Sequence, residues 1–116
     1  LSDEKVDGVS CEPLKDGYTI EYIYKNKAEL SGKSVKVRGQ VVKYNSGIMG
    51  RNWIHIQDGT GNKGDFDLLI TTLESAKIGD IVSFEGVLAV DKDFGNGYKF
   101  GITIENAAYI NEMKKI

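Results

Sequence analysis

The 116 residues contain one cysteine, one histidine, one proline and one tryptophan. A single cysteine excludes an internal disulfide and a cysteine-based zinc cage. A single histidine, His55, leaves nothing from which to build a His-rich metal site. A Ser/His/Asp or paired-carboxylate arrangement would also have to be served by that one residue. No apolar run approaches the ~18 residues that a membrane-spanning helix needs, and no signal-peptide hydrophobic region is present. Neither sign of charge is in excess: 15 Lys and Arg face 17 Asp and Glu, for a net charge of −2 at pH 7. A strong, charge-driven nucleic-acid binder usually carries a basic surplus, so that class is disfavoured. These absences point away from an enzyme and from any cofactor, and towards a binding module.

The material that is present is enough for one domain with a modest core. Charged residues at 28% and hydrophobic residues at 41% are ordinary globular proportions, so a disordered tail is not in view. Residues 1–17 are acidic and aperiodic, with Pro13 and Gly17 as punctuation, and read as a weakly structured leader. Residue 1 is Leu, so the expectation is that residues of unspecified kind preceded it. Cys11 lies close behind Asp3, Glu4, Lys5 and Asp7, whereas a lipid-anchored cysteine needs an apolar stretch upstream. It reads as a small residue of the leader.

From Thr19 the pattern becomes helical. Thr19 can cap, Ile20, Ile23, Tyr24, Lys27 by its stem and Leu30 share a face, and Gly32 supplies a stop, which predicts one helix over 19–31. After Lys33 the chain reads as strands. Residues 34–44 alternate, with Val35, Val37, Gly39 and Val41 inward and Lys36, Arg38 and Gln40 outward; the alternation slips at Val41-Val42. A two-glycine loop is expected over 45–51, then a strand with Ile54 and Ile56 opposite Trp53, His55 and Gln57. A third strand over 65–71 would place Phe66, Leu68 and Ile70 on one face and Asp65 and Asp67 on the other. A fourth spans 81–90, a long loop 91–97, and a last strand region 98–109 has Ile102 and Ile104 on its core face. Five strands with glycine kinks at Gly39 and Gly86 favour a small closed barrel over a sandwich, which usually needs about seven strands. The fold class expected is therefore all-β, a five-stranded OB-fold barrel over 34–110 with one N-terminal helix, in a domain spanning 18–116.

The motifs Val35-Lys36-Val37-Arg38-Gly39-Gln40-Val41 and Trp53-Ile54-His55-Ile56-Gln57-Asp58-Gly59-Thr60-Gly61 resemble the opening strands of anticodon-binding-type OB domains. More closely, Gly47-Ile48-Met49-Gly50-Arg51-Asn52-Trp53-Ile54-His55, Gly79-Asp80 and Asp91-Lys92-Asp93-Phe94-Gly95 resemble a family of small exported bacterial OB-domain proteins. Some of that family are lipoproteins and some are associated with nitrite-reductase gene clusters; the resemblance covers residues 18–110. It implies weak binding of single-stranded nucleic acid and a periplasmic or otherwise exported location. The alternative is an exported docking module for an envelope protein or an oligosaccharide.

The outward face of the first two strands offers Lys36 and Arg38 for phosphates and Trp53 for stacking, beside His55, Gln40 and Gln57. The flanking loops add Met49, Arg51 and Ile48 on one side and Phe94 and Tyr98 on the other. Against phosphate binding, Asp65 and Asp67 are expected near the same face. Each candidate also has an ordinary role: Trp53 as a half-buried core residue, Lys36 and Arg38 as a solvated strand face, Met49 as a barrel plug. Asp58-x-Thr60-x-Asn62 begins like a calcium loop, but Lys63 and Leu69 occupy the positions that need Gly and Glu.

Overall fold

The computed structural model describes residues 4–95, 97 and 99–110. Two short helices, α1 (Ile20–Lys25) and α2 (Lys27–Leu30), precede five strands: β1 (Ser34–Ile48), β2 (Arg51–Gln57), β3 (Leu68–Thr72), β4 (Ile81–Asp93) and β5 (Lys99–Tyr109). The strands close into a ring in the order β1-β2-β3-β5-β4, with β1 pairing back onto β4. Every pair is antiparallel except β3 with β5, where Leu69 faces Thr103 and Ile70 faces Ile104 in parallel register. The fold is therefore mostly β, a closed five-stranded barrel with small helices.

Strand β1 follows its alternation. Val35, Val37 and Val41 are buried, while Lys36, Arg38 and Gln40 are half-exposed. Gly39 sits where β2 comes closest, since a Cβ there would lie 3.0 Å from both the Gln57 carbonyl and Ile56 Cβ. The expected slip appears as a register shift between Val41 and Lys43. Phe84, Ile54, Ile56 and Ile70 fill the interior, and Ile20 and Ile23 of α1 join the same core.

Four expectations need correction. The single helix over 19–31 is broken at Asn26, whose backbone leaves the helical region (φ −115, ψ 25) while its side-chain amide donates to the Tyr22 carbonyl at 2.9 Å; Lys27 lies exposed rather than on the buried face. The expected loop over 45–51 is instead a hairpin. β1 runs on to Ile48, which pairs with Arg51 across Met49 (φ 55) and Gly50 (φ 78). Positive φ at both central residues is what a two-residue turn needs to match strand twist, and glycine meets it without strain. Likewise β4 continues to Asp93 and β5 starts at Lys99, so residues 91–93 of the expected second loop belong to a strand, and β4 and β5 extend together as a paired arm. The third strand starts at Leu68 rather than Asp65, and Phe66 is half-buried outside the central core.

Residues 4–17 form no helix or strand, yet they are tied to the barrel. Val6 N–H donates to Gln57 Oε1 at 2.8 Å, Lys5 Nζ to the Gly61 carbonyl at 2.6 Å, and Val9 is buried. At the far end Tyr18 N–H donates to the Lys36 carbonyl at 2.9 Å.

Candidate ligand-binding face

The outward face expected to bind ligand separates into two halves with different neighbours. In the first half the N-terminal segment reaches the cations. Lys36 Nζ bonds Asp16 Oδ2 at 2.8 Å, and this contact lowers the Asp16 carboxyl and raises the Lys36 ammonium from their ordinary values. Arg38 donates through Nε to Ser83 Oγ and through Nη1 to the Glu12 carbonyl, each at 3.1 Å. Cys11 rests 3.8 Å from the Arg38 carbonyl; burial first and Asp58 second push its thiol up, against a smaller lowering by Arg38. That shift makes Cys11 a poor source of thiolate.

The second half gathers around Trp53, which is 5% exposed and donates its indole N–H to the Ile48 carbonyl at 2.8 Å. Phe94 meets it edge-on with centroids 5.1 Å apart, and Phe100 lies tilted at 5.7 Å, both delivered by the β4–β5 arm. Arg51 places its guanidinium 5.3 Å from the Phe94 ring centre and 6.0 Å from that of Trp53, and Lys92 approaches Phe94 from 5.4 Å. Cation–aromatic contacts of this kind stabilise by about 0.5–1 kcal/mol each at exposed sites. Met49 sits half-buried in the adjacent turn. Tyr98 lies outside the described residues.

His55 forms the floor, with Asp67 behind it. Both are buried, and Nδ1 of the ring lies 2.7 Å from Asp67 Oδ2. The second carboxylate oxygen, Oδ1, accepts from Gln57 Nε2 at 3.0 Å. Asp67 therefore does share the outward side of β2 and β3, but its charge is engaged from two directions instead of standing free against a phosphate. Asp65 turns away to accept from the Asn62 and Lys63 N–H groups, and the Lys63 bond chiefly lowers its carboxyl.

Above this floor lies a cleft of about 220 Å³, lined by Lys43, Asn45, Ile48, Trp53 and His55 with Leu69 and Phe100. A second hollow of about 250 Å³ lies on the Arg51 side, where Thr71 and Thr72 meet Asn106 at a bulge in the β3–β5 pairing. Lys43, Asn45, Leu69 and Phe100 are the residues that sequence reasoning missed. The turn at Met49-Gly50 alone does not place them: it takes the one-residue register shift between Asn45 and Ile48 to bring Asn45 opposite Trp53 and Lys43 opposite His55. Among the described residues no three His, Cys, Asp or Glu side chains converge as a metal site would require. The arrangement offers aromatic walls, two nearby cations and one imidazole, which suits recognition of a planar group. No protein-family model and no curated protein matches this chain.

Proposed function

We propose that this chain is an OB-type binding module, not an enzyme, that takes single-stranded nucleic acid weakly across β2 and the two flanking arms. OB barrels bind on strands 2 and 3 and on the loops joining strands 1–2 and 4–5. The five-stranded ring supports that reading, and the cleft lies between those same elements. The single observation that carries the function is the 220 Å³ cleft with Trp53 and Phe100 among its lining and Lys43 beside them. Pockets for drug-sized ligands run to about 300–1,000 Å³, so this one suits a single ring and not a whole oligomer. Stacking contributes about 1–3 kcal/mol per base, and one base in one cleft makes for weak binding.

With Lys36 and Arg38 engaged by the N-terminal segment, phosphate contact falls to Lys43 and Arg51. Two such contacts give a log–log salt slope of about −1.4, using about 0.7 per phosphate on a single strand. The test is Trp53 fluorescence, titrated with a mixed single-stranded oligonucleotide at low and high salt. The expected result is emission that starts blue-shifted, quenches on titration and recovers with salt. Emission indifferent to the oligonucleotide would sink the reading.

A second reading, docking to an envelope protein, is favoured by Leu73, which stands 84% exposed and lines the second hollow. It requires binding that holds or tightens as salt rises. Export to the cell envelope belongs to the same proposal through the family resemblance, and cell fractionation tests it.

A further inference from the structure

The side-chain amide of Gln57 has only one orientation that satisfies its neighbours. Its Oε1 accepts from the Val6 N–H at 2.8 Å, and its Nε2 donates to the Glu4 carbonyl at 3.0 Å. A backbone N–H only donates and a carbonyl only accepts, so the amide cannot be turned end for end. The same Nε2 lies 3.0 Å from Asp67 Oδ1 and donates to it. An ionised carboxylate accepts on both oxygens, so the hydrogen between Asp67 Oδ2 and His55 Nδ1 belongs to the ring. In the neutral imidazole that leaves Nε2 with a bare lone pair. Among the described residues Nε2 has no protein partner. The one side-chain polar atom there that is both fully buried and unpartnered is Thr103 Oγ1, so Nε2 keeps access to the cleft that His55 lines. Two backbone groups of the N-terminal segment thus set the polarity of one atom in the cleft floor.

We infer that His55 determines specificity in the cleft by presenting Nε2 as an acceptor to an N–H donor on a planar heteroaromatic ring, with Asp67 and Gln57 as the positioning residues that hold this tautomer. The inference rests on the single-strand reading and names the part of the base that is read: an amino or imino N–H edge. Lys43, directly opposite His55 in the β1–β2 register, sets an ammonium beside that edge for the phosphate of the same nucleotide. An acceptor left facing a ligand without the donor loses its hydrogen bond and stays desolvated, which weakens binding roughly 10- to 100-fold.

The experiment uses the full chain and Trp53 fluorescence, with two probes: oligothymidylate, and the same oligonucleotide carrying N3-methylthymine, which removes the imino hydrogen. The expected result is binding of the first and a loss of 10-fold or more for the second. In Asp67→Asn, donation from Gln57 pins the amide oxygen at the Oδ1 position and turns the amide nitrogen towards Nδ1. The ring must then carry its hydrogen on Nε2, and the preference for the unmethylated probe should vanish or invert. Equal affinity of the wild type for both probes overturns the inference, as does an unchanged preference in Asp67→Asn. The nitrogen-15 spectrum of the single histidine decides the tautomer in the wild type without any variant: a hydrogen on Nε2 overturns the inference while leaving strand binding intact. Failure of both probes to bind overturns the single-strand reading and the base assignment with it.

Discussion

Asp58, in the turn after β2, accepts a hydrogen bond through Oδ2 from the backbone N–H of Ile20 at 2.9 Å, tying the first residue of α1 to the barrel. Its other oxygen accepts from Thr60 N–H and Thr60 Oγ1, and Thr60 Oγ1 in turn accepts from Glu21 N–H. Thr19 adds the local cap, accepting from Tyr22 N–H at 3.1 Å. A turn that reads as simple punctuation therefore satisfies two of the helix's unpaired donors from a distance of nearly forty residues.

Asp58→Ala should accordingly cost more than Thr19→Ala. Leaving the buried Ile20 N–H unpaired costs about 1–3 kcal/mol, against about 1 kcal/mol for the local cap. Urea denaturation of both variants checks the order. An Asp58→Ala change within the noise of a surface substitution would show that α1 is held by its isoleucines alone.

Thr103→Val should stabilise the barrel. Thr103 is fully buried and its Oγ1 has no hydrogen-bond partner among the described residues, so the hydroxyl is desolvated without compensation. Replacing it with a methyl of similar volume should gain about 1 kcal/mol, read as a higher melting temperature. A lower melting temperature would mean that the hydroxyl is satisfied in solution.

The Asp16–Lys36 contact gives the N-terminal segment a defined pH window. Asp16 is lowered in the folded state by the Lys36 hydrogen bond, so its contribution is complete above the usual carboxylate range and fades as pH falls through the lowered value. Lys36 is raised by the same bond, so its contribution is complete below the ordinary value of 10.5 and fades as pH climbs beyond it. The difference between wild type and Asp16→Asn, followed by the backbone amide shifts of Gly17 and Tyr18, should be flat between about pH 5 and 10. It should collapse at acid pH. A difference that persists in strong acid would remove the ion pair as its cause.

Tyr24 should titrate late. Burial, followed by the charges of Asp67 and Asp65, pushes its phenol up to about 12, and its hydroxyl donates to the Asp67 carbonyl at 2.5 Å. A group raised in the folded state contributes stability below its unfolded value and loses it as pH rises through the folded one, here from about 10 to about 12. Tyr24→Phe should cost about 1 kcal/mol at neutral pH and abolish the last step of the alkaline absorbance titration. If that step remains, another tyrosine owns it.

The parts of this architecture that sequence made legible are those encoded by periodic burial. Val35, Val37 and Val41 alternate because β1 has one wet and one dry face, and Thr19, Ile20 and Ile23 announce a capped amphipathic turn. The hairpin at Met49-Gly50 escaped because Met at positive φ is not a turn signal. The cover over Trp53 escaped because Phe94 and Phe100 arrive from an arm some forty residues away, and no local pattern records that meeting. The attachment of residues 4–17 was illegible for a different reason. Lys5, Arg38 and Gln57 reach for backbone atoms, and a backbone carbonyl has no letter in a sequence. His55 and Asp67 were each visible, but their pairing depends on a strand beginning at Leu68 and not at Asp65.

The placing of β5 between β3 and β4 has a consequence for synthesis. At about 5–20 residues per second, roughly 2–7 s separate completion of β3 from completion of β5 on the ribosome. Throughout that interval β3 lacks a neighbour, β4 joins it in that state once Asp93 has been added, and an unpaired edge accepts any strand that fits. On a polysome the nearest fitting strand is the β5 of an adjacent nascent copy. The misassembly this order invites is an exchanged dimer in which each ring is finished by the other chain's last strand.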